Sequence, residues 1–173
     1  MRVYIAGGAA LHLLTGARIS EDLDAVFSRR VLLPDALEVS YRDADGSART
    51  LYLDRNYNDT LGLLHEDAYD DSRPVRIDGV DPKLLEPRVL TALDLAVTKL
   101  ARFSQQDRED IELLARQGLI DSAALRTRAE QALGGYVGDL ESIRTSIDVV
   151  CRLVDSIRPP KRRRPRIRGQ SPN

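Results

Sequence analysis

The sequence predicts an α/β fold in which strands and a helix in the first half precede a helical second half. Residues 3–27 (VYIAGGAALHLLTGARISEDLDAVF) begin with an apolar strand, turn through two glycines into a short helix, and end in a second apolar strand. From Leu90 onward, apolar residues recur at helical spacing. Strands connected through a helix and then followed by helices are typical of this class.

The composition indicates a globular protein that consists of one main domain. The chain has 173 residues, of which 42% are hydrophobic and 31% are charged, so it can bury a sizeable core. It contains no apolar run long enough for a transmembrane helix and no signal-peptide pattern at its start, and we therefore expect a cytoplasmic protein without membrane contact. Its single cysteine, Cys151, excludes an internal disulfide and a Cys-cluster zinc site.

Two glycines connect the first strand to the first helix. Gly7 and Gly8 would let the backbone approach a phosphate, and the helix N-terminus behind them favours negative charge. Gly16 follows the last apolar residue of this helix, where a helix-terminating glycine is expected. Arg18 and Ser20 lie in the next loop and are candidates for contacts with a phosphate or a ribose, although an ordinary loop role is the alternative.

The second strand carries two aspartates one residue apart, Asp22 and Asp24. Side chains at alternate positions of a strand point to the same face, so both carboxylates are expected on one side. A metal held by carboxylates beside a phosphate held by a glycine turn is what phosphoryl or nucleotidyl transfer requires. The alternative is an ordinary strand–turn–helix unit with an acidic edge strand.

The middle of the chain predicts a β-hairpin followed by a helix. Residues 37–42 (LEVSYR) and 48–54 (ARTLYLD) alternate in polarity around a turn, as hairpin strands do. Residues 58–67 (NDTLGLLHED) predict a helix capped by Asn58. One or two short strands are expected over residues 73–85, with a turn at Asp78.

Residues 86–118 predict two helices. Pro87 suits the first turn of the first helix, on which Lys99 and Arg102 lie one turn apart. Ser104 is the expected N-cap of the second helix, with Asp107 three positions later as in a capping box. Two more helices are expected over residues 121–133 and 139–157, where apolar residues form one stripe.

We divide the chain into an α/β core over residues 1–118, a helical extension over residues 119–158 and a basic tail over residues 159–173. The tail contains KRRRPRIR and is too polar and Pro-rich to fold alone, so we expect it to be disordered. Such a segment can bind RNA or DNA phosphates, act as a solubilising end, or contact an acidic partner.

The Gly7-Gly8 turn followed by Asp22-x-Asp24 resembles the nucleotidyltransferase superfamily of the polymerase-beta type. The resemblance extends to small bacterial nucleotidyltransferase-like proteins, including the AbiEii-type toxins of toxin–antitoxin systems. It implies a minimal nucleotidyltransferase fold with a mixed β-sheet, followed by C-terminal helices. By position, it implies that Asp22 and Asp24 bind Mg²⁺ and that Gly7 and Gly8 hold the nucleotide phosphates.

A second stretch is similar to another region of the AbiEii-type families. The matching pieces are Lys99-Leu100-Ala101, Arg102 and the run from Asp107 to Asp110. The resemblance implies that Lys99 contacts the phosphates and that Asp110, with Asp107 as the alternate, helps to set the active site. The alternative is an amphipathic helical hairpin with surface ion pairs.

The implied function is Mg²⁺-dependent transfer of a nucleoside monophosphate from a nucleoside triphosphate. The acceptor would be an RNA 3′ end, a protein or a small molecule, and the protein would be the toxin of a toxin–antitoxin pair with a cognate partner. A third carboxylate, which would deprotonate the attacking hydroxyl, is expected at Asp54 or Asp78. The alternative is a non-catalytic member of the fold that serves as a binding module or an antitoxin-type partner.

Overall fold

The computed structural model describes residues 1–17, 22–32, 38–42, 46–54 and 62–157. It confirms the predicted α/β class, because these residues form a mixed sheet that is followed by C-terminal helices. Arg18, Ser20, Asn58 and the basic tail lie outside the described residues, so the expectations for them remain predictions.

The sheet and the helices have the following bounds. The strands are β1 (Arg2–Ile5), β2 (Asp22–Phe27), β3 (Glu38–Arg42), β4 (Ala48–Asp54), β5 (Arg73–Pro74) and β6 (Glu86–Val89). The helices are α1 (Gly7–Thr15), α2 (Ala92–Thr98), α3 (Gln105–Arg116), α4 (Ser122–Ala132) and α5 (Leu140–Ile157), with a 3₁₀ turn at Leu133–Gly135 after α4.

The strand order across the sheet is β3-β4-β2-β1-β6-β5. Strand β1, one of the two central strands, pairs antiparallel with β2 and parallel with β6, and β2 pairs parallel with β4. The predicted hairpin is the antiparallel pair β3–β4 at one edge of the sheet. Helix α1 leaves the C-terminal end of β1, so the glycine turn and the start of β2 lie at the same end of the sheet.

Several helices begin or end at the capping residues and glycines that the sequence predicts. Gly16 ends α1 in the left-handed conformation, and Gly118 follows α3 with the same sign of φ. Ser104 and Asp107 form a complete capping box at the start of α3, while Asp121 caps α4. The turn at Asp78 is also present, with the Val80 amide donating to the Ile77 carbonyl.

The prediction of a helix beginning near Pro87 was wrong. Residues Glu86–Val89 form strand β6, whose register places Pro87 opposite Val3 of β1. Helix α2 begins only at Ala92, behind Thr91, whose hydroxyl accepts a hydrogen bond from the Asp94 amide. The pairing of β6 with two neighbouring strands therefore outweighs the helical spacing of the leucines, because β6 is the parallel partner of β1.

The predicted helix over residues 58–67 is also wrong over the part that the structure describes. Residues 62–65 are not helical, and residues 66–70 form turns. Leu63 and Ala68 are fully buried, and the Asp67 amide donates to His65 Nδ1. The segment thus places its apolar residues in the protein interior as an irregular connection.

The second half of the chain packs as helices against the sheet and one another. On α5 the predicted apolar stripe is buried at Ile143, Ile147, Val150 and Val154, where it meets α3 and α4. Cys151 is buried beside the stripe, and burial raises the pKa of its thiol. Within the described part of the chain, no helix is long and apolar enough to cross a membrane.

Candidate functional site

The glycine turn and the acidic strand meet at the beginning of α1. The Ala6 amide donates to the Asp24 carbonyl at 2.9 Å, which extends the β1–β2 pairing to the first residue before the helix. A Cβ atom placed on Gly7 would lie 1.6 Å from Asp24 Oδ2. The Asp24 carboxylate therefore occupies the space that any larger residue at position 7 would fill, directly beside the helix N-terminus.

Strand pairing brings three aspartates to this end of the sheet. Asp22 and Asp24 occupy alternate positions of β2. The parallel register of β2 and β4 sets Asp54 opposite Asp24 and Tyr52 opposite Asp22. Asp78, the other candidate for a third carboxylate, is exposed in the turn after β5. The register thus favours Asp54 as the neighbour of the acidic pair.

Lys99 and Asp110 form a buried ion pair where α2 ends and α3 begins. Lys99 Nζ donates to Asp110 Oδ2 at 2.7 Å and lies 3.7 Å from Asp107 Oδ1. Both side chains are nearly inaccessible, at 8% and 4% exposed. The second oxygen of Asp110 accepts from Gln106 Nε2 at 3.1 Å. The lysine is therefore held by the protein itself and does not extend into solvent.

Arg102 forms the accessible part of the same cluster. Its Nε and Nη2 atoms donate to the two oxygens of Asp107, each at 2.9 Å. The Asp107 side chain is buried at 2% exposed, whereas the Arg102 side chain is 74% exposed. A bidentate bond of this kind fixes the orientation of the guanidinium. Asp107 is fixed in turn because it accepts hydrogen bonds from the Ser104 amide and hydroxyl.

The electrostatics connect this cluster to the acidic strand. The hydrogen bond and the charge of Asp107 raise the pKa of Arg102 most, burial opposes them, and the charges of Asp24 and Asp110 raise it further. The Asp24 carboxylate is therefore close enough for its charge to act on Arg102. Asp24 of the acidic strand, beside the glycine turn, thus acts on the cation that Asp107 orients.

Comparison with known families agrees with this geometry. A family model described as "Nucleotidyltransferase of unknown function (DUF6036)" matches residues 1–145. The chain belongs to this family. Neither the comparison with curated proteins nor that with solved structures returned a match. Membership of this nucleotidyltransferase family covers the strands, the glycine turn, and helices α1 to α4.

In the structure, the site residues that the sequence predicts fall into three groups. Gly7 and Asp24 are in direct proximity, and Gly8 follows in the first turn of α1. Lys99 and Asp110 contact each other and adjoin Asp107. For Asp22 and Asp54 the structure gives positions in the strands, and Arg18 and Ser20 lie outside the described residues.

The sequence interpretation did not single out Arg102 as a site residue, although it placed Arg102 on the same helical face as Lys99. Spacing alone does not distinguish a buried cation from an exposed one. Helix α2 ends at Thr98, so both cations lie in the connection to α3, where Phe103 adopts φ +47° and the Arg108 guanidinium lies 4.6 Å from its ring centre. A positive φ at a bulky residue is uncommon and costly, and strain of this kind clusters at active sites and ligand clamps.

A cavity of about 610 Å³ lies away from the acidic strand. Its lining includes Leu14 late in α1, Asp94 early in α2 and Leu119 after α3. Gly7, Lys99 and Asp107 lie at the opposite ends of these three helices. Arg128 of α4 closes one side and donates to both oxygens of Asp94, at 2.7 and 3.2 Å. This second ion pair ties α4 to α2, and we interpret it as structural.

Replacing Gly7 by Ala tests the close approach of the turn to Asp24. Gly7 has φ +55°, which costs an alanine about 1–2 kcal/mol, and the new Cβ would displace the Asp24 carboxylate. We expect lower stability together with loss of nucleotide binding. The matched control is Gly16→Ala, because Gly16 has φ +69° with open space around it. If both variants keep wild-type nucleotide affinity, the turn does not contribute to the site.

The Arg102–Asp107 ion pair should make the free energy of unfolding depend on pH. Burial raises the pKa of Asp107, but hydrogen bonds from Arg102 and Ser104 outweigh it and lower the pKa to about 2 from 3.8. The pKa of Asp107 is lower in the folded than in the unfolded state. The contribution of the ionised carboxylate to the free energy of unfolding is therefore complete above pH 3.8 and is lost as the pH falls towards 2. Asp107→Asn should be less stable than wild type at pH 7, and the two unfolding free energies should converge in acid. A difference that stays constant with pH would contradict this assignment.

Proposed function

We propose that the protein is a Mg²⁺-dependent nucleotidyltransferase that transfers a nucleoside monophosphate from a nucleoside triphosphate to a hydroxyl-bearing acceptor. The observation that carries the proposal is the position of the Asp24 carboxylate against Gly7 at the N-terminus of α1. A metal-binding carboxylate and a phosphate-binding turn have to be adjacent for this chemistry. Family membership supports the same reaction class.

The residues at this end of the sheet fit a magnesium ion. Mg²⁺ is usually bound through one or two carboxylates together with substrate phosphates and water. Asp22 and Asp24, at alternate positions of β2, supply that number of carboxylates. Among the described residues, no group of three or more His, Cys, Asp or Glu is arranged to hold a metal ion. When bound, Mg²⁺ would neutralise phosphate charge.

Other residues of the chain would bind the phosphates and neutralise their charge. Gly7 and Gly8 would hold phosphate oxygens with backbone amides at the start of α1. The charge of the exposed Arg102, which the buried Lys99 supports through Asp107, would offset charge that develops on the leaving pyrophosphate. Asp110 would support Lys99 through the 2.7 Å ion pair, with Asp107 adjoining it.

In the reaction, the acceptor hydroxyl oxygen would form a bond to the α-phosphorus while the bond to pyrophosphate breaks. The hydroxyl proton would pass to a carboxylate, for which Asp54 is the candidate because it pairs with Asp24 in the β2–β4 register. Positioning and charge neutralisation provide most of the catalysis in such reactions.

The proposal is tested by incubating the purified chain with each nucleoside triphosphate labelled at the α-phosphate, Mg²⁺, and an extract that contains RNA, protein and small molecules. Label on an RNA 3′ end, on a protein or on a small molecule would identify the acceptor. The Asp22→Ala/Asp24→Ala double variant, run in parallel, should transfer none. Absence of transfer and of nucleotide binding by the folded wild type would overturn the catalytic proposal in favour of a non-catalytic binding module or antitoxin-type partner.

The resemblance of its motifs to those of AbiEii-type toxins adds a biological expectation. If the protein is the toxin of a toxin–antitoxin pair, its expression should slow growth, and the Asp22→Ala/Asp24→Ala variant should not. A cognate partner protein would restore growth when it is co-expressed with the wild type. Growth inhibition that persists in the double variant would separate toxicity from transferase chemistry.

A further inference from the structure

Two cations border the proposed nucleotide site, and their accessibility differs strongly. The Lys99 side chain is 8% exposed and the Arg102 side chain is 74% exposed. Lys99 Nζ already contacts Asp110 at 2.7 Å and Asp107 at 3.7 Å. The ammonium has three N–H groups and Asp110 engages one of them, but the lysine side chain is almost fully enclosed and its charge is already shared by two carboxylates, so it offers a phosphate little accessible surface.

Arg102 meets the opposite conditions. Asp107 engages two of its N–H groups, and a guanidinium has five, so three remain for a ligand. The bidentate bond holds the planar group in one orientation although most of its surface is in solvent. An exposed arginine normally loses considerable side-chain entropy when it binds a ligand. Here the bond to Asp107 already restricts the side chain before any ligand binds, so less entropy is lost on binding.

The support of Arg102 continues into the protein interior. Asp107 is buried at the start of α3 and accepts hydrogen bonds from Ser104 as well as from Arg102. Lys99 adjoins both Asp107 and Asp110 from the end of α2. The buried lysine therefore compensates two carboxylates, and one of these carboxylates orients the exposed arginine.

Helix packing places Arg102 at the same end of the protein as the glycine turn. Gln117 at the end of α3 donates to the Thr15 carbonyl at the end of α1, and the two helices contact each other, so Gly7 at the start of α1 and Arg102 just before α3 lie at the opposite end of this helix pair. The charge of Asp24 on Arg102 agrees with this placement. A guanidinium suits phosphate binding because its forked donors can bind two phosphate oxygens together.

We propose that Arg102, and not Lys99, binds the terminal phosphates of the nucleoside triphosphate, while Lys99 is a positioning residue for Asp107 and Asp110. This inference rests on the proposed nucleotidyltransferase function. It predicts that the protein distinguishes triphosphates from monophosphates through Arg102. The structural alternative is that Arg102 only stabilises the capping box of α3, in which case its removal would not change that selectivity.

The test is to titrate the full chain with ATP, GTP, CTP and UTP in the presence of Mg²⁺, and with the four monophosphates, by calorimetry. We expect Arg102→Ala to weaken triphosphate binding roughly 10- to 100-fold, as is usual for lost charge-assisted hydrogen bonds, and to leave monophosphate binding unchanged. The matched control is Arg116→Ala, which removes an exposed, ion-paired arginine from the other end of α3 and should bind as wild type.

Arg102→Lys covers the case in which the alanine variant does not fold. It keeps a cation beside Asp107 but cannot bind a carboxylate and a phosphate with the same fork, so the preference for triphosphates should still fall. Equal triphosphate affinity in wild type and a folded Arg102 variant would overturn the assignment of Arg102 alone. A wild type that binds no nucleoside triphosphate would overturn the proposed function, and the role of Arg102 with it.

Discussion

Replacing Asp24 by Asn is expected to lower the rate of nucleotidyl transfer by roughly 10³-fold or more. The substitution keeps the size of a side chain that fits against Gly7, but it removes the negative charge on which metal binding depends. Loss of several kcal/mol of transition-state stabilisation corresponds to a decrease of this size. The measurement is the rate of label transfer from the α-phosphate at saturating Mg²⁺, with melting temperatures to verify that the variant is folded.

Two further Asp→Asn variants serve as controls for this experiment. Asp54→Asn should also impair transfer, because Asp54 is paired with Asp24 in the strand register. Asp78→Asn should leave the rate unchanged, because Asp78 is exposed in a turn. Wild-type activity in Asp24→Asn would exclude the acidic strand from the chemistry. Loss of activity in Asp78→Asn instead of Asp54→Asn would assign the third carboxylate to the other candidate.

Replacing Arg128 by Met is expected to destabilise the protein by about 3–5 kcal/mol, the usual cost of removing one partner from a buried ion pair. Asp94 is 1% exposed, and Arg128 donates to both of its oxygens. Arg128 also contacts Asp71 at 2.6 Å, so it joins α4 to α2 and to the segment before β5. Urea unfolding at pH 7 would measure the change in the free energy of unfolding.

A neighbouring arginine on the same helix is the control for this stability prediction. Arg126 forms an ion pair with Asp148 of α5 at 2.7 Å, the same distance as the Arg128–Asp94 pair. Both side chains of this ion pair are about half exposed, at 45% and 53%. Exposed pairs contribute little to stability, so Arg126→Met should keep the wild-type unfolding midpoint. Equal effects of the two substitutions would show that burial of Asp94 does not determine the cost.

Local interactions explain why parts of the fold can be predicted from the sequence. The capping box of Ser104 and Asp107 and the left-handed Gly16 each depend on residues within a few positions. The same is true of the spacing of Asp22 and Asp24, which follows from the alternation of a strand. For such features the neighbours in the chain are also the neighbours in space.

Strand β6 shows where this reasoning fails. The leucines after Pro87 have helical spacing, yet Glu86–Val89 pair in parallel with β1, which lies more than 80 positions earlier in the chain. No local signal indicates this partner. The Arg128–Asp94 pair is similar, because its members are separated by 34 positions and meet only when α4 packs on α2.

The sequence by itself determined the class of the fold, the glycine turn before α1 and the aspartate pair on β2. Only the tertiary structure decided that the Asp24 carboxylate lies against Gly7, and that Lys99 is buried while Arg102 is exposed. The physical reason is that backbone geometry and capping act over a few residues, whereas burial depends on the elements that pack around a side chain. The same positive charge is therefore a buried support at Lys99 and an accessible donor at Arg102.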